Sequence, residues 1–222
     1  MKRFLNLFIA VVLAFAAACP PVCAEEHVEK AFKAPSKFLN IGFAHTTMKQ
    51  GNSPDISSDL GFSLTSAKTY YLHKPIAGRL RFGIEAAWTD LNYSNYKVNY
   101  ISMLDPERNE SVTIHAAEIT IQAGLGINFN ICRHSSLHAY FRYAPGVSMM
   151  YDSDTFNGGF LNSATGGLLI NYRKIGLGVD WRFGTARHKN ILGDFTDQDD
   201  DSANEKVKVK FNGIRAYIAL VF

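Results

Sequence analysis

The chain has 222 residues, 47% of them hydrophobic, with 23 Lys and Arg against 20 Asp and Glu. That length suits one domain, and the near-balance of charge excludes the basic surface that a nucleic-acid partner requires. Mean hydropathy is close to zero, which says little, because a strand with one apolar and one polar face averages out.

In chain order, Lys2 and Arg3 precede an apolar stretch from Phe4 to Ala18, broken only by Asn6. The stretch is shorter than the ~20 residues of a membrane-spanning helix. Pro20-Pro21-Val22-Cys23-Ala24-Glu25 follows, so residues 1–24 read as a signal peptide cut after Ala24. Cleavage before Cys19, as in a lipoprotein, is the alternative, and Ala16 and Pro20 fit that motif poorly. Losing Lys2 and Arg3 from the 23 basic residues leaves 21 against 20 acidic ones, a charge of +1. Cys19 and Cys23 leave too, so Cys132 is the lone thiol and no internal disulfide is expected. Residues 25–36 read as a periplasmic linker. A short amphipathic helix through Val28 and Phe32 is the rival there, limited by Pro35. No later run of ~18 apolar residues offers a transmembrane helix.

From residue 37 the pattern changes to period 2, the signature of strands with one apolar face. Eight segments are expected, at about 37–46, 58–71, 79–91, 115–131, 136–150, 160–172, 175–187 and 206–222. The third sets Leu80, Phe82, Ile84, Ala86 and Trp88 against Arg79, Arg81, Gly83, Glu85, Ala87 and Thr89. The fourth sets Ile119, Ile121, Ala123, Leu125, Ile127 and Phe129 against Glu118, Thr120, Gln122, Gly124, Gly126 and Asn128. The seventh alternates Ile175, Leu177, Val179, Trp181 and Phe183 with Gly176, Gly178, Asp180, Arg182 and Gly184. The eighth places Ile214, Ala216, Ile218, Leu220 and Phe222 on one face. The second fits poorly: Leu60, Phe62 and Leu64 are followed on the same face by Ser66 and Lys68. Either Lys68 snorkels from an apolar wall, or a bulge reverses the facing.

Polar faces that carry full charges among many glycines suit a narrow barrel interior, with the apolar faces turned to lipid. The expected class is therefore all-β, an eight-stranded antiparallel up-and-down transmembrane barrel. Closure leaves no edge unpaired in hydrocarbon. Connectors alternate short and long, the long ones at about 47–57, 92–114, 151–159 and 188–205. Short periplasmic turns and long extracellular loops would give that alternation, and would place both termini in the periplasm. Tyr70, Phe129, Tyr172 and Phe222 then fall at the periplasmic rim, with Trp88 and Tyr143 toward the outer one.

Eight such segments, the loop alternation and the final Ala216-Tyr217-Ile218-Ala219-Leu220-Val221-Phe222 make the chain resemble the small eight-stranded outer-membrane barrels of the OmpA transmembrane-domain and OmpX type. The resemblance covers about residues 37–222. It implies a bacterial outer-membrane location, contact with outer-membrane lipid and lipopolysaccharide, and recognition of Phe222 by the barrel-assembly machinery. It does not imply one activity, since such barrels include structural proteins, adhesins and lipid-modifying enzymes.

The inferred inner faces carry Arg79, Arg81, Glu85, Glu118, Gln122, His138, Arg142, Asp180, Arg182 and Arg215. Charges inside a narrow barrel need partners, so a lumen network is expected, with Glu85, Glu118 and Asp180 facing Arg81, Arg142, Arg182 and Arg215. A gated ion path is the functional alternative. The favoured role is non-enzymatic: envelope integrity, or binding of an extracellular ligand through loops 92–114 and 188–205. A lipid A-modifying enzyme is the alternative, and His45 or His115 with Ser94 or Ser111 would have to converge for it. Asp152, Asp154, Asp194, Asp197, Asp199, Asp200 and Asp201 are hard ligands without calcium-loop spacing, and read as solvated loops. No cofactor or metal is expected.

Overall fold

The computed structural model describes residues 36–51, 54–101, 109–132, 134–152, 156–190 and 207–222. The expected signal peptide 1–24, linker 25–36 up to residue 35, and acidic loop residues 194–201 lie outside them. Eight strands follow one another: β1 Lys37–Gln50, β2 Ile56–Tyr71, β3 Leu80–Ile101, β4 Asn109–Cys132, β5 Ser135–Tyr151, β6 Phe156–Tyr172, β7 Ile175–Asn190 and β8 Val207–Val221. Each pairs antiparallel with the next, and β8 returns to β1, so the sheet closes into a barrel. Among the described residues no helix is long and apolar enough to cross a membrane. The eight strands form an antiparallel up-and-down β-barrel of the transmembrane type.

Register around the ring sets the shape. From Phe38 the pairs run to Ala67, Ala87 and Gln122; the β4–β5 register that pairs Ala123 with Tyr143 carries the circuit to Ala144, and pairs run on through Ser163, Gly184 and Phe211 to Met48. The circuit thus returns to β1 ten residues further along. Eight strands with this stagger tilt by ~40° and leave an interior that side chains can fill.

The turns at one end are tight. Between β2 and β3, Ala77 and Gly78 both adopt positive φ, 49° and 70°, and Arg79 N donates to Ile76 O at 3.0 Å. Between β6 and β7 the connector is Arg173-Lys174, with Arg173 at φ 56°. Such turns match the right-handed twist of hairpin strands. At this same end Ser36 N and Lys37 N donate to Phe222 O, and Phe222 N donates to Lys37 O. The last residue of the sequence thereby ties the last strand to the first.

At the other end the strands reach beyond the expected segments. Loop 92–114 is corrected most: β3 and β4 pair from Asn92↔Glu118 up to Ile101↔Asn109. The physical reason lies in where the side chains point. Along the turn-side and middle part of the barrel the outer face is apolar, with Ile41, Phe43, Ile121, Leu125, Phe141 and Trp181 exposed. Toward the loop end the polarity inverts. Met48, Tyr96, Ala116, Leu161, Ala186, Val209 and Phe211 pack inside, while Lys49, Lys97, Arg187, Lys208 and Lys210 stand outside. A strand leaving the hydrocarbon no longer needs an apolar outer face, so the repeat that marks the membrane band ends before the strand does.

Two irregularities decide which residues face inward. Trp88 and Thr89 of β3 stand opposite the single residue Ile121 of β4, and the β2 ladder shifts at the same place. This bulge reverses the facing, so Asp90, Asn92 and Ser94 are buried while Leu91 and Tyr93 are exposed. Trp88 and Tyr143 accordingly lie mid-strand rather than near a strand end. On β2 the facing is not reversed at Lys68. Ala67 and Thr69 point inward, and the Lys68 ammonium lies over the Tyr70 ring, 4.4 Å from its centre, toward the turn end. The bulge of β2 falls instead between Ser58 and Leu60.

Candidate functional site

Among the described residues, charged and hydrogen-bonding side chains converge in the barrel interior, and the glycines make room for them. A Cβ at Gly178 would collide with the Tyr217 ring, one at Gly167 with the Tyr140 ring, and one at Gly126 with the Glu85 carboxylate. Period-2 facing puts these glycines on the inner wall, where their missing side chains form recesses for larger groups.

Three ion-pair groups cross the interior. Arg142 Nη2 on β5 donates to Glu85 Oε2 on β3 at 2.7 Å, and its guanidinium lies 3.8 Å from the centre of the Tyr140 ring. Glu85 also accepts from Thr69 Oγ1 at 2.5 Å, and His138 Nε2 stands 3.2 Å from Oε1. Phe38 stacks on that imidazole at 5.3 Å. On β8, Arg215 clasps Asp180 through Nε at 2.7 Å and Nη2 at 2.9 Å. Its Nη1 reaches across to Asp90 Oδ1 at 2.7 Å and Asn92 Oδ1 at 2.8 Å. Asp90 accepts further hydrogen bonds from Thr65, Asn92 and Thr120. The third group pairs Arg182 on β7 with Glu118 on β4. Tyr140 Oη donates to Asp180 Oδ2 at 2.9 Å and meets Tyr217 Oη at 3.0 Å, joining the aromatic and ionic parts.

Charged groups at 8% exposure or less, out of reach of bulk water, keep their charges only where opposite charge and hydrogen bonds surround them. The bidentate Arg215–Asp180 clasp supplies both direction and strength. An apolar cluster lies on each side of this ionic zone. One contains Phe38, Ala67, Ala87, Leu169, Tyr217, Ala219 and Val221; the other is the Met48, Tyr96, Leu161 and Phe211 cluster toward the loops.

Two expected members are displaced. Arg79 is exposed in the β2–β3 turn and does not enter the interior. Its place in the sequence had the right parity, but the turn starts before it. Arg81 is half-buried near the turn end, with its guanidinium 5.4 Å from the Tyr71 ring centre, and it pairs with none of Glu85, Glu118 and Asp180. Asp90, central to the network, was absent from the expected set. The signal that reveals it is the spacing from Trp88 to Leu91 and Tyr93, where the apolar residues move from even to odd positions.

The residues of the enzymatic alternative do not converge. Ser94 is buried on the inner face, whereas His115 is exposed on the outer face and bonded to Tyr93 Oη at 2.7 Å. A different Ser–His contact exists, Ser148 Oγ to His188 Nε2 at 3.1 Å. It is buried beside Phe211, and His188 Nδ1 has no hydrogen-bond partner to orient the ring. Among the described residues no three His, Cys, Asp or Glu side chains are placed to hold a metal ion.

No family model and no curated protein matches the chain. Solved structures with similar folds include Ail, the attachment invasion locus protein of Yersinia pestis, at 13% identity. It covers 84% of this chain and 99% of its own, with a TM-score of 0.41. Neisserial surface protein A matches at 15% identity over 84% and 97% of the two chains, with a TM-score of 0.41. The outer-membrane protease OmpT of Escherichia coli matches at 10% identity over 88% and 100%, with a TM-score of 0.46.

Proposed function

We propose that this protein is a bacterial outer-membrane barrel, closed to solutes, that serves the cell envelope as a non-enzymatic surface protein. The turns and the ends of β1 and β8 beside them face the periplasm, and the β3–β4 extension at the opposite end faces the exterior. The observation that supports the reading is the set of ion pairs tied across the barrel between two buried apolar clusters. An apolar outer wall under a polar, loop-bearing rim supports membrane insertion with one end exposed. Function then resides in the exposed end, through binding of an extracellular ligand or support of the lipid layer. Planar bilayer recording tests the closure. The reconstituted protein is expected to show no steady openings, because eight strands leave no water column. Sustained porin-sized conductance would overturn it. Lipid A mass spectrometry with and without the protein should show the same species.

A further inference from the structure

Five exposed cations cap the turn end of the barrel. Lys37 opens β1, Lys74 and Arg79 lie in the β2–β3 turn, and Arg173 and Lys174 form the whole β6–β7 connector. Among the described residues no Asp or Glu stands at this end face. The described carboxylates outside the lumen belong to the loop end, where Asp55 meets Lys49 at 3.4 Å and Asp59 meets Lys97 at 3.7 Å. The undescribed stretches beside the turns do not offset the surplus. Residues 25–35 carry Glu25, Glu26 and Glu29 against Lys30 and Lys33, a net charge of −1, and position 133 adds an arginine.

The backbone holds these charges in place. Arg173 has φ 56°, and a two-residue hairpin turn with positive φ at its first central residue favours glycine there. An arginine occupies that position instead. Its N–H donates to His134 O of the β4–β5 turn at 2.7 Å, and Lys174 O accepts from Val221 N at 2.8 Å. Two cations thus stand where a glycine turn would be less strained, and local strain of this kind accompanies binding roles. The β2–β3 and β6–β7 turns are four strands apart in a ring of eight, so they stand on opposite sides of the end face. Their tips lie past the last ladder pairs, Tyr71↔Gly83 and Tyr172↔Ile175. A lipid headgroup reaches a barrel from one flank, whereas charges on opposite tips address a surface lying across the end.

We infer that this end face docks a carboxylate-bearing polymer beneath the outer membrane, the chemistry of the cell-wall glycopeptide with its free stem-peptide carboxylates. Arg79 and Arg173 can each grip a carboxylate through two parallel hydrogen bonds, and Lys37, Lys74 and Lys174 add point charges. The inference deepens the proposed envelope role and rests on its placement of the turns in the periplasm.

Co-sedimentation of the full chain, refolded in neutral detergent micelles, with purified peptidoglycan sacculi tests it. The variants are K74Q/R79Q/R173Q/K174Q and, as a control at the opposite end, K49Q/K97Q, each checked for the heat-modifiable folded band. Losing four exposed ion pairs together should lower retention about tenfold, with the control unchanged. Sacculi whose carboxylates have been amidated should fail to retain the wild type. Equal retention by the quadruple variant, an equal loss in K49Q/K97Q, or undiminished binding to amidated sacculi would overturn the assignment. So would release of the wild type by phosphatidylglycerol, but not phosphatidylcholine, doped into the micelles, which would give the face to lipid headgroups. Impermeant-maleimide labelling of C132S/K174C in intact cells reads the placement separately. Labelling would overturn the periplasmic placement, and the docking with it, even where the sedimentation result holds.

Discussion

At the residue scale, Asp90 makes the largest demand on its surroundings. It is fully buried, accepts from Thr65, Asn92 and Thr120, and neutralises one side of Arg215. Removing one partner of a buried pair costs ~3–5 kcal/mol, because the remaining charge stays buried. Asp90→Ala should therefore lower the urea midpoint of the refolded barrel by that equivalent. Asp59→Ala, which removes an exposed partner of Lys97, should cost less than ~1 kcal/mol. Equal effects of the two would show that the ionic zone adds nothing beyond surface pairing. A gain is expected at the β2–β3 turn. Ala77 holds φ at 49°, a conformation that costs a residue with a Cβ ~1 kcal/mol. Ala77→Gly should recover part of that cost, less the extra freedom glycine has when unfolded, and equilibrium unfolding measures the balance.

At the element scale, how well a strand could be read depended on where it lies. The membrane-band portions of β3, β4, β7 and β8 were legible, since lipid outside and charge inside impose strict alternation on every residue there. Three features were not. The bulge at Trp88 and Thr89 shifts the phase by one, so uninterrupted alternation puts Asp90 on the outward, apolar side of the third strand. The far ends of β3 and β4 carry an inverted pattern, Tyr96 and Ala116 inward and Lys97 outward, which reads as loop to an eye expecting an apolar outer face. Lys68 follows Ser66 in a row that otherwise carries Leu60, Phe62, Leu64 and Tyr70, and no pattern says which way its ammonium bends. It reaches over Tyr70. Partner choice inside the lumen was also beyond the sequence. Parity names the inward residues, but only the stagger brings Glu118 to Arg182 rather than to Arg142. The bulge yields a direct prediction. Deleting Trp88 and Thr89 together should turn Asp90 outward and abolish the heat-modifiable folded form, whereas deleting Thr89 alone, which leaves Trp88 outward and Asp90 inward, should keep it. Pulse-refolding followed by semi-native electrophoresis distinguishes the two.

At the scale of the whole molecule, closure depends on one seam. Strand β8 meets β1 along thirteen register pairs from Phe38↔Val221 to Gln50↔Val209, and Phe222 bonds to Ser36 and Lys37 at its end. We propose that the barrel-assembly machinery reads this terminus. Replacing Phe222 with Ser should slow insertion and leave protease-sensitive chain in the periplasm, while the variant that does insert should have nearly wild-type stability. Pulse-chase protease protection reports the first, and urea unfolding the second. Normal insertion kinetics would mean that the terminal aromatic only packs.

The cross-lumen ties also govern the order of events during assembly. Glu85 and Arg142 are separated by 57 residues, Glu118 and Arg182 by 64, and Asp90 and Arg215 by 125. A hairpin entering the bilayer alone would carry its arginines and carboxylates into hydrocarbon unneutralised, at a penalty of several kcal/mol per ion. Stepwise insertion is thereby penalised at every stage before the final strand arrives. The curled sheet must gather its charges toward its own axis in the interfacial region, then cross as a nearly finished cylinder, so that commitment to the membrane becomes a single cooperative act.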